Sequence, residues 1–322
     1  MEDAIKRVVI VNVFYPHFET ERKILAPFHA EVEHVHVNSR DELVRAVCRA
    51  DAVMVREAVL DAETIRAMEK CRIIVRYGVG VDNIDLEAAR KKKIYVANVP
   101  DYGSDEVAEH ALALLMAVSR RIVTRDRAIR NGAWNIGPAE PMYSFKGRTV
   151  GIVGYGRIGQ AFRRKIAGLG FGRVLVYDPR NRNAHGDVEY VDLETLCAES
   201  DVISLHLPLT EETRHLIDQS KLSLMKPNAI LINTARGGLI REVDLLQALR
   251  ERKIFGAGLD VFETEPPDVR SELFRLDNLV VTDHTAWYSE ESLQNLQMKA
   301  AREIANVFSG QPPISWVNRW EV

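Results

Sequence analysis

The chain has 322 residues, 46% hydrophobic and 28% charged, with a formal net charge of −3. That length suits two domains, each able to bury a core of its own. With no like-charge block, and no apolar stretch approaching the roughly 20 residues of a bilayer span, neither a nucleic-acid surface nor a membrane segment is expected.

The opening MEDAIKRVVIVNV puts acidic residues ahead of a short apolar run, so it reads as a first strand over 7–13 and not as a signal peptide. Helical spacing follows at 19–28, a second strand at 30–37, and a helix opened by Ser39. Next come a strand at 52–55, a helix from Asp61 and a strand at 72–75. Lys91, Lys92 and Lys93 read as a solvated turn between a helix and a strand. Residues 104–119, SDEVAEHALALLMAVS, form a long apolar helix with Ser104 or Asp105 as N-cap. A helix this apolar is buried. The stretch 131–146, rich in Gly, Pro and Trp, reads as an irregular crossing. From 148 the strand–helix rhythm restarts, with strands near 173–177, 201–205, 229–233, 256–259 and 279–282. A last helix at 290–308 and a polar tail close the chain. Strands separated by helices imply parallel sheets covered on both faces. Cys48, Cys71 and Cys197 are odd in number and scattered among apolar residues. That argues against a disulfide framework and for a reducing, cytoplasmic setting. His34 and His36 share a strand face without a third ligand, so no metal site is expected.

Residues 149–159 read TVGIVGYGRIG, a strand followed by Gly154, Gly156 and Gly159 in the G-x-G-x-x-G spacing and then by a helix. Gly154 permits the tight turn, Gly156 lets a pyrophosphate approach the backbone, and Gly159 lets helix and strand pack closely. The helix start offers N–H groups and partial positive charge to phosphates. The next strand, RVLVYD, ends in Asp178, where a carboxylate takes the ribose hydroxyls and repels a 2′-phosphate. That favours NAD over NADP, although Arg180 and Arg182 follow closely.

Hydride transfer to a keto acid requires a group that holds the carboxylate, one that polarises the carbonyl and one that delivers a proton. An arginine fork meets the first two needs, and a histidine steadied by a carboxylate meets the third. Three residues follow strands in the nucleotide half: Arg236 after AILINTA, Glu265 after GAGLDVF and His284 after LVVTD. His206, ahead of Leu207 and Pro208, reads as lining the cofactor site through backbone and packing instead of moving a proton. Asp260 ends a strand near the expected nicotinamide, as a cofactor contact, a support for one, or a helix cap.

The segments VGVDNID, VGIVGYGRIG, LHLPLTEETRHLI, NTARGGLIRE, GAGLDVFETEPP and HTAWYSEE, spread over nearly the whole chain, closely resemble the D-isomer-specific 2-hydroxyacid dehydrogenase family. The resemblance implies that Arg236 binds substrate, Glu265 is the acid partner and His284 is the acid/base. It implies that the backbone of Gly78, Val79 and Gly80 cradles the substrate carboxylate, with Arg76 and Tyr77 at the pocket. Around the cofactor it implies Ser104, then Tyr155, Arg157 and Ile158 in the glycine loop, and Pro179 beside Asp178. Pro208, Thr213, Thr234 and Ala235 complete that set with His206, Asp260 and His284. Formate dehydrogenases carry glutamine in place of Glu265. Many phosphoglycerate dehydrogenases add C-terminal regulatory domains, so a short form is expected. RIIVRYGVGVDNID, AWYSE and AAREI look most like the C-terminal-binding-protein branch, which binds NAD(H) and in animals acts as a corepressor; there Trp287 would line the substrate pocket. Asp283 departs from the family, which has proline before the histidine.

These readings combine into two doubly wound parallel-sheet α/β domains. One is a Rossmann nucleotide domain over 100–287. The other is a flavodoxin-like, discontinuous substrate domain formed by 1–99 and 288–322. Chain crossings near 98–102 and 287–290 are expected to act as hinges that close a cleft, and the helix at Ser104 to support a homodimer. The expected activity is hydride transfer between NAD(H) and a small D-2-hydroxy or 2-keto acid. The alternative is an NAD(H)-sensing regulatory protein with residual activity.

Overall fold

The computed structural model describes residues 5–134, 137, 140–180 and 187–320. The chain divides into two compact units, residues 1–103 with 289–322, and residues 104–288.

In unit 1 the strands are β1 (Lys6–Val11), β2 (Ala30–Val35), β3 (Ala52–Val55), β4 (Ile73–Arg76) and β5 (Tyr95–Ala97). They pair in parallel in the order β2-β1-β3-β4-β5, the flavodoxin-like arrangement. The helices α1 (Glu19–Leu25), α2 (Arg40–Val47), α3 (Ala62–Ala67) and α4 (Leu86–Lys91) connect them. Ser39, Asp61 and Asp85 cap three of these helices by accepting the N–H groups of Glu42, Thr64 and Ala88. Val9, Val11, Val53, Val55, Ile65 and Ile74 centre its core.

In unit 2, α5 (Ser104–Ser119) and α6 (Ile122–Arg130) precede the sheet. α5 begins at Ser104 itself, so Ser104 and Asp105 lie inside the helix and neither is its cap. The strands are β6 (Thr149–Val153), β7 (Arg173–Tyr177), β8 (Glu189–Tyr190), β9 (Val202–Leu205), β10 (Ile230–Asn233), β11 (Gly256–Leu259) and β12 (Leu279–Val281). Helices α7 (Arg157–Lys165), α8 (Leu193–Glu199), α9 (Gln219–Leu224) and α10 (Glu242–Arg250) join them. The parallel order is β12-β11-β10-β9-β6-β7-β8, the Rossmann order with one further strand. Its switch point lies between β6 and β9, where open α/β sheets bind ligands.

The two sheets share a device that residue identity alone does not advertise. Asp51, just before β3, donates its backbone N–H to Arg7 O at 2.8 Å and accepts Arg7 N at 2.8 Å with its carboxylate. Asp201, just before β9, does the same with Thr149, accepting its N–H at 3.0 Å. In each unit an aspartate thus clips the strand beside the switch point to the first strand.

The chain returns to unit 1 through α11 (Glu290–Phe308), opened by a capping box between Ser289 and Ser292. The segment after it is not a loose polar tail. Ala97 bridges Trp316, and Asn318 accepts Val96 N at 2.8 Å and donates to Ile94 O at 2.9 Å. Trp316 and Trp320 both pack on Tyr95, with ring centroids 4.9 Å from it. Part of the crossing at 131–146, and Arg182, lie outside the described residues.

Candidate active site

The glycine loop of unit 2 shows why each glycine is needed. Gly154 has φ +94°, and a Cβ there would lie 2.8 Å from the His206 carbonyl carbon. A Cβ on Gly159 would lie 2.2 Å from Gly154 O. Gly156 faces open space and precedes α7, whose first turn has no side-chain cap. The N–H groups opened by Arg157 and Ile158 are therefore available to an anion. Asp178 directly follows β7 and accepts Tyr155 N and Arg180 N, each at 2.9 Å, one on each oxygen. It thus braces the glycine loop from the end of the neighbouring strand. Pro179 beside it is exposed. These features fit a dinucleotide.

On the far side of the switch point, His206 N donates to Val153 O at 2.7 Å, and its Nε2 lies 2.9 Å from Ser204 Oγ. Burial pushes the His206 pKa down to about 3, so the ring is neutral and packs on Phe162. Thr213 donates to Pro208 O at 2.7 Å and accepts Thr210 N, which fixes the loop after β9. Asn233 brackets the turn after β10, accepting Ala235 N and donating to Arg236 O. Thr234 between them is 7% exposed, and its hydroxyl has no partner among the described residues. Ser104 opens α5.

Three neighbouring strands bring the chemical residues together. Arg236, Glu265 and His284 follow β10, β11 and β12 respectively. The first two loops touch: a Cβ on Gly237 would lie 1.9 Å from the Phe262 carbonyl carbon. Phe262 N donates to Glu265 Oε1 at 3.0 Å, and Glu265 Oε2 lies 2.6 Å from His284 Nδ1. Burial pushes the Glu265 carboxyl up. Hydrogen bonds from His284 and Phe262, with the charges of His284 and Arg236, outweigh it and hold the carboxyl below its ordinary range. Glu265 is thus ionised at neutral pH and can only accept, so His284 carries a proton on Nδ1 and turns Nε2 to its surroundings. The half-buried Arg236 donates from Nη1 to Ala235 O at 2.8 Å.

His284 has φ +58°, the left-handed region that side chains disfavour. Asp260, fully buried, holds it there. Its carbonyl accepts His284 N at 2.8 Å, Oδ1 accepts Thr285 N at 3.0 Å and Oδ2 accepts Ala286 N at 2.9 Å. Of the roles left open for Asp260, the geometry shows support of this loop. Trp287 donates its indole N–H to His284 O at 3.0 Å. Asp283, in the place of proline, is exposed and accepts the Thr285 hydroxyl at 2.9 Å.

Residues 76–80 belong to unit 1; Arg76 ends β4 and 77–80 follow it. Gly78 has φ +138°, and a Cβ there would lie 1.6 Å from Arg76 Nη1, so the guanidinium lies across it. Val79 is 43% exposed, its carbonyl accepts Asn98 Nδ2 at 2.6 Å, and Gly80 is half-buried. Tyr77 differs from the expectation of a pocket residue: its ring is 1% exposed and its hydroxyl donates to the buried Glu21 at 2.8 Å. It anchors the segment from within the core. Sequence reasoning also passed over His110 and Thr282, which contact the Asp260 carboxylate region. An imidazole in an otherwise apolar helix was the available signal for the first.

A family model described as D-isomer specific 2-hydroxyacid dehydrogenase, NAD binding domain, matches residues 112–286. The chain is 44% identical over 292 residues to a glyoxylate reductase of Thermococcus litoralis, covering 87% of both. It is 39% identical over 277 residues to a hydroxypyruvate reductase of Thermotoga maritima, covering 85% of this chain and 90% of that protein. D-lactate dehydrogenase of Escherichia coli has the same fold, with TM-score 0.82 at 29% identity over 96% of this chain and 99% of that one. None of these three relatives is a C-terminal-binding protein.

Proposed function

The chain belongs to the D-isomer specific 2-hydroxyacid dehydrogenase family, and from that premise we propose that it reduces small 2-keto acids of the glyoxylate and hydroxypyruvate type through Arg236, Glu265 and His284. It is an NAD-dependent oxidoreductase acting on 2-hydroxy and 2-keto acids. When bound, the nicotinamide would supply the hydride in reduction and accept it in oxidation.

The observation that carries the residue assignment is the 2.6 Å pair between Glu265 and His284 Nδ1. It commits Nδ1–H and leaves Nε2 to give a proton to the carbonyl oxygen. Ionised Glu265 stabilises the imidazolium form that donates. Arg236, a fixed cation with a planar fork, is assigned to the substrate's carboxylate and carbonyl oxygens. The N–H groups of residues 78–80 are assigned to the same carboxylate, with Arg76 and Trp287 as further substrate contacts. Residues 154–159, Asp178, the loop at 206–213 and Thr234 are assigned to the cofactor, with Asp178 selecting NAD over NADP.

We further propose a homodimer. α5 turns Ala108, Ala111, Leu114 and Leu115 into the core of unit 2. α6 beside it leaves Ile122, Val123 and Ile129 exposed at 53, 40 and 47%, which makes it the better candidate for a two-fold contact. Buried, unreactive Cys71 and Cys197, whose thiols burial pushes up to about 12, agree with a cytoplasmic setting.

Steady-state turnover with NADH and NADPH on glyoxylate, hydroxypyruvate, pyruvate and phenylpyruvate tests the reading. Turnover of roughly 1–1000 per second on the smaller acids is expected, with NADH preferred. A rate below about 0.01 per second on every acid, against that ordinary range, would support the cofactor-sensing alternative.

A further inference from the structure

We propose that His110 is a positioning residue for His284, acting through Thr282 and Asp260. α5 carries His110 one turn before Leu114 and two before Val118, on the face it turns to the sheet. That face lies against β11 because Gly256 and Gly258 put no side chain between them. A Cβ on Gly258 would lie 2.9 Å from Leu114 Cβ, and one on Gly256 2.9 Å from Val118 Cγ1. The close approach brings His110 Nε2 to 2.8 Å from Thr282 Oγ1, immediately after β12.

Thr282 Oγ1 is in turn 2.6 Å from Asp260 Oδ1. A hydroxyl has one hydrogen, and a carboxylate only accepts. Thr282 therefore donates to Asp260, and the remaining contact requires His110 to donate from Nε2–H. The direction of donation is fixed along the chain His110, Thr282, Asp260. Asp260 also accepts Thr285 N on Oδ1 and Ala286 N on Oδ2, and its carbonyl accepts His284 N. Those bonds hold His284 in its left-handed conformation, and that conformation aims the ring at Glu265. His110 touches neither substrate nor cofactor on this account. It restricts Thr282 to one rotamer and so keeps the Asp260 clamp closed.

The inference rests on His284 being the proton donor. Four variants test it: His110→Leu and Thr282→Val remove the donor and the hydroxyl, whereas His110→Gln and Thr282→Ser retain an N–H and an O–H at comparable reach. The removal variants are expected to lower kcat on glyoxylate about tenfold while KM for NADH stays within about twofold, the mark of an interaction felt at the reacting group. Gln and Ser should restore kcat to within about threefold of wild type. The double variant His110→Leu/Thr282→Val should lose no more than about the worse single one, because the two residues act as one chain. Unchanged kcat in a removal variant overturns the proposal, as does a Gln variant as impaired as the Leu variant, or losses that multiply in the double. Should His110→Leu fail to fold, the Thr282 pair decides. If His284→Ala turns over like wild type, the functional reading itself fails. If it is inactive while His110→Leu is normal, only this inference does.

Discussion

His284 is held from both ends, its ring by Glu265 at 2.6 Å and its carbonyl by Trp287 at 3.0 Å. Replacing Glu265 by Gln keeps the size and one oxygen but removes the charge that stabilises the protonated ring. Turnover should fall by about 10- to 100-fold, measured as kcat, since general acid–base steps are worth about 10²–10⁴-fold in all. Arg236→Ala should raise KM and lower kcat together, because the same guanidinium is assigned to the bound carboxylate and to the developing oxyanion. Arg236→Lys should recover little, since an ammonium cannot reproduce the fork. Normal kinetics in either Arg236 variant would remove that residue from the site. The placement of these three residues in loops after neighbouring strands was legible in the sequence, because each follows an apolar run and belongs to a type that the chemistry demands. Tyr77 was placed wrongly for a physical reason. Its partner Glu21 lies 56 positions away, and the backbone turn at Gly78 breaks the alternation that would have told which way the ring points.

At the scale of elements, close backbone approach decides what the sequence allows. Gly237 presses on the Phe262 carbonyl and lets the Arg236 and Glu265 loops touch. Gly237→Ala should therefore separate these loops, lowering the melting temperature and kcat together. A variant with wild-type values of both would show that the contact is dispensable. Asp201 clips β9 to β6, and also meets Arg148 at 2.8 Å and Lys226 at 3.1 Å. Burial pushes its carboxyl up, but the Thr149 N–H and the two cations outweigh that and hold it below its ordinary range. A depressed folded-state pKa stabilises the fold above the unfolded value of about 3.9 and ceases to do so as pH falls through the folded value. Asp201→Asn should cost about 1–3 kcal/mol at pH 7. Thermal melts should show the gap to wild type narrowing as pH drops below about 4. A gap that does not change with pH would mean that the charge is not what matters. Most strands and helices were legible from apolar runs and N-cap residues such as Ser39 and Asp61. β8, two residues long, carries too little pattern to read. The α5–β11 contact was illegible because it depends on glycines some 140 positions from the helix they admit.

For the whole molecule, every residue assigned to the cofactor lies between 104 and 288, in the unit with the Rossmann strand order. A ligand that binds only the folded state adds about 2.7 kcal/mol at 100 times its dissociation constant. NADH should therefore raise the calorimetric transition of that unit, and NADPH at equal concentration should raise it less if Asp178 acts as the proposed selector against a 2′-phosphate. Equal shifts would remove Asp178 as the selector. The two-sheet α/β plan was readable in advance from the strand–helix rhythm and the glycine fingerprint. The branch within the family was not, because the segments that suggested it, such as AWYSE, sit in an otherwise reductase-like chain.

The most direct measurement compares wild type with His284→Ala in steady-state reduction of glyoxylate and hydroxypyruvate by NADH, with NADH-induced thermal stabilisation measured alongside. Turnover should fall by about 10²–10⁴-fold while the stabilisation by NADH persists. Wild-type turnover in the variant would contradict the assignment of His284 as the group that supplies the proton.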